Sequence, residues 1–196
     1  DGALLITPYY NKPTQEGLYR HYRAVAEAVD IPLVLYNIPG RTGVNMLPAT
    51  IARLTTFRTI VGIKEGSGSV QQASDLVQMC GNCLTVLAGD DALTLPMMAV
   101  GGKGVITVTA NIMPAEMASL VKVFSEGKID EARRIHFKLS PLFAALFFET
   151  NPIPVKEALG LMGKIDPELR LPLCPMAQDT REKLIGVLKD ASLIAR

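Results

Sequence analysis

The sequence is poor in the residues that build disulfide frameworks and metal sites. It contains three cysteines and two histidines among 196 residues. A small, odd number of cysteines predicts no disulfide framework. The pair Cys80 and Cys83 would need two further ligands to hold zinc, and Cys174, His21 and His136 lie at no suitable spacing. We therefore expect no metal site.

The sequence also lacks long apolar runs and a surplus of charge of either sign. Charged residues, proline or glycine interrupt every hydrophobic stretch before it reaches the length of a membrane span, and no signal-peptide pattern is visible. The formal net charge is +1, with lysine and arginine scattered along the chain. This is not the pattern of a protein that binds nucleic acid or an anionic membrane. We expect a cytoplasmic protein that binds neither.

One C-x-x-C motif is present, Cys80-Gly-Asn-Cys83. A redox pair of the thioredoxin type lies at a helix N-terminus, where the thiolate is stabilised. Here the pair follows a segment of helical periodicity, and Gly81 suits the C-terminal cap of that helix. We interpret the cysteines as structural, and a thiol redox protein stands as a third hypothesis only.

Short apolar runs alternate with segments of helical periodicity through the first two thirds of the chain. Runs without polar alternation are typical of parallel strands buried on both faces. They predict strands at residues 3–6, 32–36, 60–63, 84–88 and 105–108, with helices at 14–29 and beginning at Pro48, at Ser69 as a cap, after Asp91 and at Pro114. The expected fold class is α/β with a parallel sheet.

The strand pattern stops after residue 128. Three further helices are predicted, at 130–148, at 154–162 and beginning near Asp179, where Asp179 and Glu182 have the spacing of a capping box. We therefore predict two domains, one of βα units over residues 1–128 and a helical one over residues 129–196.

Five βα units fit either an open doubly wound sheet or part of a (β/α)8 barrel. A dinucleotide-binding sheet needs a glycine-rich turn after its first strand, and Thr7-Pro-Tyr-Tyr10 is not one. The segment Gly101-Gly-Lys-Gly104 lacks the Ser or Thr that a phosphate-binding loop places after Gly-Lys. These absences favour the barrel.

Polar and aromatic side chains follow the carboxyl ends of the predicted strands, where a barrel builds its active site. They are Tyr9, Tyr10, Tyr36, Asn37, Lys64, Glu65, Asp90, Asp91, Thr107 and Thr109. Lys64 ends an apolar run, and burial lowers the pKa of an amine. A neutral lysine attacks carbonyl carbons to form a Schiff base, and Tyr36 on the neighbouring strand would relay protons. The alternative is a lysine that extends from a strand end to water.

Two segments resemble the signatures of the pyruvate-dependent class I aldolases and lyases: Tyr36-Asn-Ile-Pro-Gly-Arg-Thr-Gly43 and Gly62-Ile-Lys-Glu-Gly-Ser-Gly68. The match extends in order across nearly the whole chain, and within that superfamily it is strongest for the dihydrodipicolinate synthase family. The resemblance implies a TIM barrel, here only about its last five βα units, with strands resembling 4 to 8, followed by a C-terminal helical domain. It also implies a homo-oligomer, usually a homotetramer built as a dimer of dimers.

The resemblance further implies a reaction without metal or organic cofactor. Pyruvate and L-aspartate 4-semialdehyde would condense to 4-hydroxy-tetrahydrodipicolinate, a step of lysine and diaminopimelate biosynthesis. Lys64 matches the lysine that forms the Schiff base with pyruvate. Tyr36 matches the tyrosine that shuttles protons. Tyr10 matches a tyrosine that reaches across the tight dimer interface into the neighbour's proton relay.

Three more positions are assigned by the same resemblance. Arg41 matches an arginine at the mouth of the site that binds the carboxylate of aspartate semialdehyde, a role that suits its planar fork. Ile106 matches a residue whose backbone contacts pyruvate, and Tyr9 matches a tyrosine at the site where lysine inhibits many members. N-acetylneuraminate lyases and several sugar-acid aldolases usually lack such an arginine. They stay an alternative, as does a noncatalytic assembly module that self-associates around Tyr9 and Tyr10.

One departure from the family is large. The family's pyruvate-carboxylate site and the third member of its proton relay belong to a Gly-Thr-Thr-Gly-Glu segment, which this sequence does not contain. Since a full barrel has eight βα units, we expect about three upstream units to be missing. We therefore predict that the isolated chain is poorly active, and that its open sheet edges and exposed apolar surface favour aggregation.

Overall fold

The structure, a computed structural model, describes residues 1–195. The strands are β1 (Ala3–Ile6), β2 (Leu33–Asn37), β3 (Ile60–Glu65), β4 (Thr85–Ala88) and β5 (Gly104–Val105). The helices are α1 (Gln15–Ala28), α2 (Pro39–Thr42), α3 (Pro48–Leu54), α4 (Val70–Cys80), α5 (Thr94–Ala99), α6 (Pro114–Ser125), α7 (Ile129–Ala145), α8 (Ile153–Leu161) and α9 (Gln178–Asp190). Single 3-10 turns lie at Asp91–Leu93 and Thr109–Asn111. The predicted α/β class is confirmed.

All five strands form one parallel sheet in the order β1-β2-β3-β4-β5, so each strand pairs with the next along the chain. A doubly wound sheet reverses its strand order at a switch point, whereas a barrel keeps it sequential. The observed order is therefore that of a barrel segment. In the β2–β3 register Tyr36 lies opposite Lys64 and Asn37 lies opposite Glu65.

An apolar core lies between the sheet and helices α1, α3 and α4. Its fully buried side chains include Leu18, Tyr22, Leu35, Ile51, Ile63 and Leu76. In β2 the burial alternates, with Leu33, Leu35 and Asn37 buried while Val34 and Tyr36 are half-buried. Burying a leucine or isoleucine side chain contributes about 1.5–3 kcal/mol, so this layer holds the strands, and hence their carboxyl ends, in place.

Two of the predicted helix starts are confirmed by capping hydrogen bonds. The Thr14 side chain accepts from the Gly17 amide at the start of α1. The Ser69 side chain accepts from the Gln72 amide at the start of α4. The predicted cap of α9 is wrong, because Ala177 occupies the N-cap position without a side-chain bond and Asp179 lies inside the first turn.

The last strand is shorter than its apolar run predicts. After β5 the Ile106 amide still donates to the Ala88 carbonyl at 2.9 Å, as in a parallel pair. The chain then turns, because the Thr107 hydroxyl accepts from the Ala110 amide and a 3-10 turn follows. The apolar residues beyond Val105 therefore leave the sheet.

The chain divides into two compact units, the first covering Asp1–Ile106 and the second beginning at Thr107. In the second unit α6 packs against α7, and α9 packs against α7 and α8. The domain boundary predicted between residues 128 and 129 stays a prediction. Across residues 1–195, every helix is too short or too polar to cross a membrane.

Candidate active site

Lys64 and Tyr36, two of the predicted site residues, lie side by side. They lie opposite each other near the carboxyl ends of β3 and β2. The Lys64 Nζ atom lies 4.2 Å from the centroid of the Tyr36 ring, well within the range of a cation–π contact. Both side chains are half-buried. The register of two parallel strands thus places an amine beside a phenol, as the sequence predicts.

The surroundings shift both groups away from their charged forms. Burial lowers the pKa of Lys64; the Asp91 carboxylate acts in the opposite direction, and the Arg41 guanidinium lowers the pKa further. Burial also raises the pKa of Tyr36, against a smaller lowering by Arg41. A larger share of Lys64 is therefore neutral than in a solvated lysine, while the phenol keeps its proton. The pair can act as nucleophile and proton donor.

Arg41 is held near this pair by the short helix α2, which no sequence pattern predicts. Pro39 begins α2, and Gly43 ends it with a left-handed φ of 68° while its amide donates to the Pro39 carbonyl at 2.8 Å. The exposed Arg41 side chain acts electrostatically on both Tyr36 and Lys64. The predicted substrate-binding arginine thus lies at the same end of the sheet as the predicted nucleophile.

Tyr9 and Tyr10 lie apart from this pair, on the exposed segment that follows β1. Their exposed fractions are 60% and 93%. Within residues 1–195, neither a hydrogen bond nor a ring contact joins Tyr10 to Tyr36. Both tyrosines line an open hollow of about 390 Å³ together with Ile6, Pro8, Asn11 and His21. The structure therefore leaves them as a surface feature of the single chain.

Ile106 follows β5 directly and is half-buried. Because its amide donates to the Ala88 carbonyl, its backbone is fixed at the carboxyl end of the sheet. This is the edge at which Lys64 and Tyr36 lie. The position suits the predicted backbone contact with pyruvate, which stays a prediction.

Glu65, for which no sequence pattern predicts a role, has a side chain that is 0% exposed. Its carboxylate accepts hydrogen bonds from the amides of Asn37 and Gln72 and from the Ser67 backbone. The sequence offered one signal, since Asn37 and Glu65 each directly follow a predicted catalytic residue. No sequence pattern indicates that the side chains of Asn37 and Glu65 are buried together on the face opposite Lys64.

The surroundings of the C-x-x-C cysteines disfavour a reactive thiolate at Cys80. All three cysteines are free; Cys80 is buried, whereas Cys83 and Cys174 are exposed. Burial and the neighbouring Cys83 raise the pKa of the Cys80 thiol, which disfavours the reactive thiolate. Over the described part of the chain, histidine, cysteine, aspartate and glutamate form no cluster of three that could hold a metal ion.

Parallel strands that pair in sequential order are typical of βα-barrel proteins, and Lys64 and Tyr36 lie at the carboxyl ends of two of them. A comparison with known protein families supports this class. The family model described as the dihydrodipicolinate synthetase family matches residues 1–191, and the chain belongs to this family.

Known relatives match almost the whole chain but only part of their own length. The 4-hydroxy-tetrahydrodipicolinate synthase of Geotalea daltonii is 61% identical over 194 residues, which are 99% of this chain and 67% of that protein. The dihydrodipicolinate synthase structure from Aquifex aeolicus is 48% identical with a TM-score of 0.97, covering 100% of this chain and 67% of the other. The chain therefore spans about two thirds of the length of these relatives.

A third relative is a chloride-inhibited dihydrodipicolinate synthase from Acinetobacter baumannii, solved in complex with pyruvate. It is 48% identical with a TM-score of 0.96, covering 99% of this chain and 67% of the other. These matches confirm the fold prediction of a partial TIM barrel followed by a C-terminal helical region.

Proposed function

We propose that this chain carries the Schiff-base chemistry of a 4-hydroxy-tetrahydrodipicolinate synthase, a lyase that condenses pyruvate with L-aspartate 4-semialdehyde. The observation that carries the proposal is the half-buried Lys64 amine, 4.2 Å from the Tyr36 ring, with its pKa lowered by burial. The names of the relatives supply the product and, in one structure, the bound pyruvate, and they do not favour the alternative of a sugar-acid lyase.

In the first step the neutral Lys64 amine attacks the keto carbon of pyruvate. The π electrons of the carbonyl move to its oxygen, which takes a proton from the Tyr36 phenol and gives a carbinolamine. The nitrogen then loses its extra proton to the phenolate, so Tyr36 is restored. The hydroxyl group takes a proton from Tyr36 and leaves as water while the nitrogen lone pair forms the double bond, which gives the protonated imine. A phenol that stays protonated near neutral pH suits this relay.

In the second step the protonated imine loses a proton from the former methyl carbon of pyruvate to the Tyr36 phenolate and becomes an enamine. That carbon attacks the aldehyde carbon of aspartate semialdehyde, so the aldehyde π electrons move to its oxygen, which takes a proton from Tyr36, and the protonated imine forms again. The amine of the semialdehyde then attacks the imine carbon, closes the ring and displaces the Lys64 amine. In this proposal Arg41 binds the semialdehyde carboxylate as an ion pair. The Ile106 backbone contacts pyruvate. None of these steps transfers electrons to or from a cofactor.

The finer predictions concern assembly and location. We propose that Tyr9 and Tyr10 lie in a homo-oligomer interface, because they are large, exposed and adjacent at an open hollow. In that assembly Tyr10 would join the partner's relay and Tyr9 would lie near a lysine-inhibitor site. A cytoplasmic location stays a prediction of the sequence.

Incubation of the chain with pyruvate and sodium borohydride, followed by intact mass and peptide mapping, tests the proposed imine. We expect a mass gain of one reduced pyruvyl group, located at Lys64. Trapping should be slow and incomplete, because the Gly-Thr-Thr-Gly-Glu segment that binds the pyruvate carboxylate in the family is not in this sequence.

The variant Lys64→Arg keeps the positive charge and should abolish the label, whereas Lys103→Arg, at an exposed lysine just before β5, should leave it unchanged. Absence of any label at Lys64 would contradict the proposed chemistry and favour a noncatalytic assembly module. Fast and complete trapping would contradict the prediction that the isolated chain is poorly active.

A further inference from the structure

Glu65 is a fully buried carboxylate that the proposed mechanism does not use. It follows Lys64 at the end of β3 and, since side chains alternate along a strand, lies on the opposite face of the sheet. Across residues 1–195 no basic side chain forms an ion pair with it. A buried charge needs compensating hydrogen bonds, so its partners explain why it is tolerated there.

All the hydrogen-bond partners of Glu65 are neutral donors. Glu65 Oε2 accepts from Asn37 Nδ2 at 3.1 Å and from Gln72 Nε2 at 3.0 Å. Glu65 Oε1 accepts from the Ser67 backbone amide at 2.7 Å. An ionised carboxylate only accepts hydrogen bonds, so it matches three donors. A glutamine at position 65 would place its NH₂ group, itself a donor, against one of these three hydrogen-bond donors. The site therefore requires an acceptor-only group.

The orientation that Glu65 imposes on the two amides extends to their other bonds. The Asn37 Nδ2 atom also donates to Asn45 Oδ1 at 2.8 Å, and its Oδ1 atom accepts from the Met46 amide at 2.9 Å. The Asn45 side chain in turn donates to Gln72 Oε1 at 2.8 Å. The network thus joins the ends of β2 and β3 to the first turn of α4 and to the segment that follows α2.

These are the elements that carry the site. Asn37 directly follows Tyr36, Glu65 directly follows Lys64, and α2 carries Arg41. The backbone adds two further links across the strand ends, from the Gly66 amide to the Asn37 carbonyl at 2.8 Å and from the Gly89 amide to the Glu65 carbonyl at 2.7 Å. A small displacement of either strand end would therefore change the separation of amine and phenol on the opposite face.

We propose that Glu65 is a positioning residue, because its acceptor-only carboxylate orders the amide network of Asn37, Asn45 and Gln72. This network in turn fixes Lys64 beside Tyr36 and near α2, the helix that carries Arg41. Its use in catalysis rests on the proposed function, but the positioning itself does not. Stability alone does not explain a carboxylate here, because a well-packed neutral cluster is often at least as stable as a buried charged one.

The test measures the reactivity of the Lys64 amine without pyruvate. The whole chain is labelled with trace acetic anhydride across a range of pH, and the acetylated fraction at Lys64 is read by peptide mass spectrometry. The charged and titratable groups that face this amine are Asp91, Arg41 and Tyr36, and none of them is changed. In Glu65→Gln the loss of a negative charge would by itself lower the pKa of Lys64 and increase its labelling. Loss of positioning instead exposes Lys64 to water and raises its pKa, so we expect its labelling near pH 8 to fall by about threefold or more.

Two variants separate positioning from general loss of stability. Ile51→Val removes one buried methyl group from α3 in the same unit and should leave the Lys64 profile unchanged. The double variant Glu65→Gln/Asn37→Asp returns one carboxylate to the network, and the flipped amides of Asn45 and Gln72 can satisfy it. It should regain at least half of the lost labelling.

A fall in Lys64 labelling that is confined to Glu65→Gln and is reversed in the double variant supports the proposal. The proposal is overturned by an unchanged Lys64 profile in Glu65→Gln, by an equal change in Ile51→Val, or by a double variant no better than the single one. Failure of the unaltered chain to form a pyruvate imine contradicts the proposed function instead, because acetylation requires no pyruvate.

Discussion

At the scale of single residues, the state of Lys64 is set by three opposing influences. Burial lowers its pKa first, the Asp91 carboxylate raises it, and the Arg41 guanidinium lowers it again. Asp91 is itself buried at the start of the 3-10 turn after β4. The amine is thus balanced between an acidic and a basic neighbour, and removing either one should shift that balance in a known direction.

Replacing the charged neighbours of Lys64 one at a time tests this balance. Asp91→Asn removes a negative charge that stabilises the ammonium form, so the pKa of Lys64 should fall and its acetylation near neutral pH should increase. Arg41→Gln removes a repelling positive charge, so the pKa should rise and acetylation should decrease. Labelling across pH measures both shifts.

The matched control for these charge changes is Arg23→Gln. Arg23 pairs with Glu27 on the exposed face of α1 and is not among the groups that act on Lys64. Equal shifts in the control variant, or a pKa of Lys64 that rises in Asp91→Asn and falls in Arg41→Gln, would show that the neighbours of Lys64 are assigned wrongly.

At the scale of elements, the strand ends approach each other closely because small residues follow them. A Cβ atom added at Gly66 would lie 3.0 Å from the Asn37 carbonyl oxygen and 3.3 Å from the Tyr36 ring. The next element, α4, begins only four positions later with Ser69 as its cap. This cap matters for the site, since Gln72 in the first turn of α4 donates to Glu65.

Removal of the α4 cap should destabilise the chain measurably. In Ser69→Ala the Gln72 amide loses the acceptor that lies 3.1 Å away, and such a loss typically costs about 1 kcal/mol of stability. Ser125→Ala is the control, because Ser125 lies exposed at the C-terminal end of α6, where its hydroxyl donates to the Val121 carbonyl.

Urea denaturation followed by circular dichroism compares the two serine variants. The control should stay within about 0.5 kcal/mol of the unaltered chain, as surface substitutions usually do. A loss in Ser125→Ala as large as in Ser69→Ala would show that the α4 cap contributes nothing particular to stability.

At the scale of the whole molecule, the sheet has two ends that pair on one side only, β1 and β5. The β1 strand exposes Leu4 and Ile6 on one face, with exposed fractions of 47% and 43%. An edge strand with exposed apolar side chains is a surface prone to association. The chain spans about two thirds of its relatives' length, so its first unit is a barrel segment and not a closed barrel.

A charge on β1 should therefore reduce self-association. We expect Leu4→Glu to lower the apparent mass at high protein concentration, measured by size exclusion with light scattering. Leu171→Glu is the control, because Leu171 is 89% exposed and lies outside the strands and helices. If both variants reduce association equally, general hydrophobicity and not the strand edge is responsible.

Much of the fold follows from local sequence patterns. Unbroken apolar runs mark parallel strands because both faces of such strands are buried, and this placed β1 to β4 within one or two residues. The strand predicted at residues 105–108 was wrong beyond Val105, because a turn that the Thr107 hydroxyl stabilises competes with strand pairing. The approach of Lys64 to Tyr36 was also predictable, since both end neighbouring strands of one parallel sheet.

The sequence by itself thus determined the α/β class, the family and the presence of a lysine beside a tyrosine at the strand ends. Only the tertiary structure decided how that lysine is held and which charges act on it. Asn37 and Glu65 are separated by 28 positions in the chain, and Asn45 and Gln72 by 27. The physical reason is that hydrogen bonding and charge effects depend on distances in space, which periodicity along the chain does not encode.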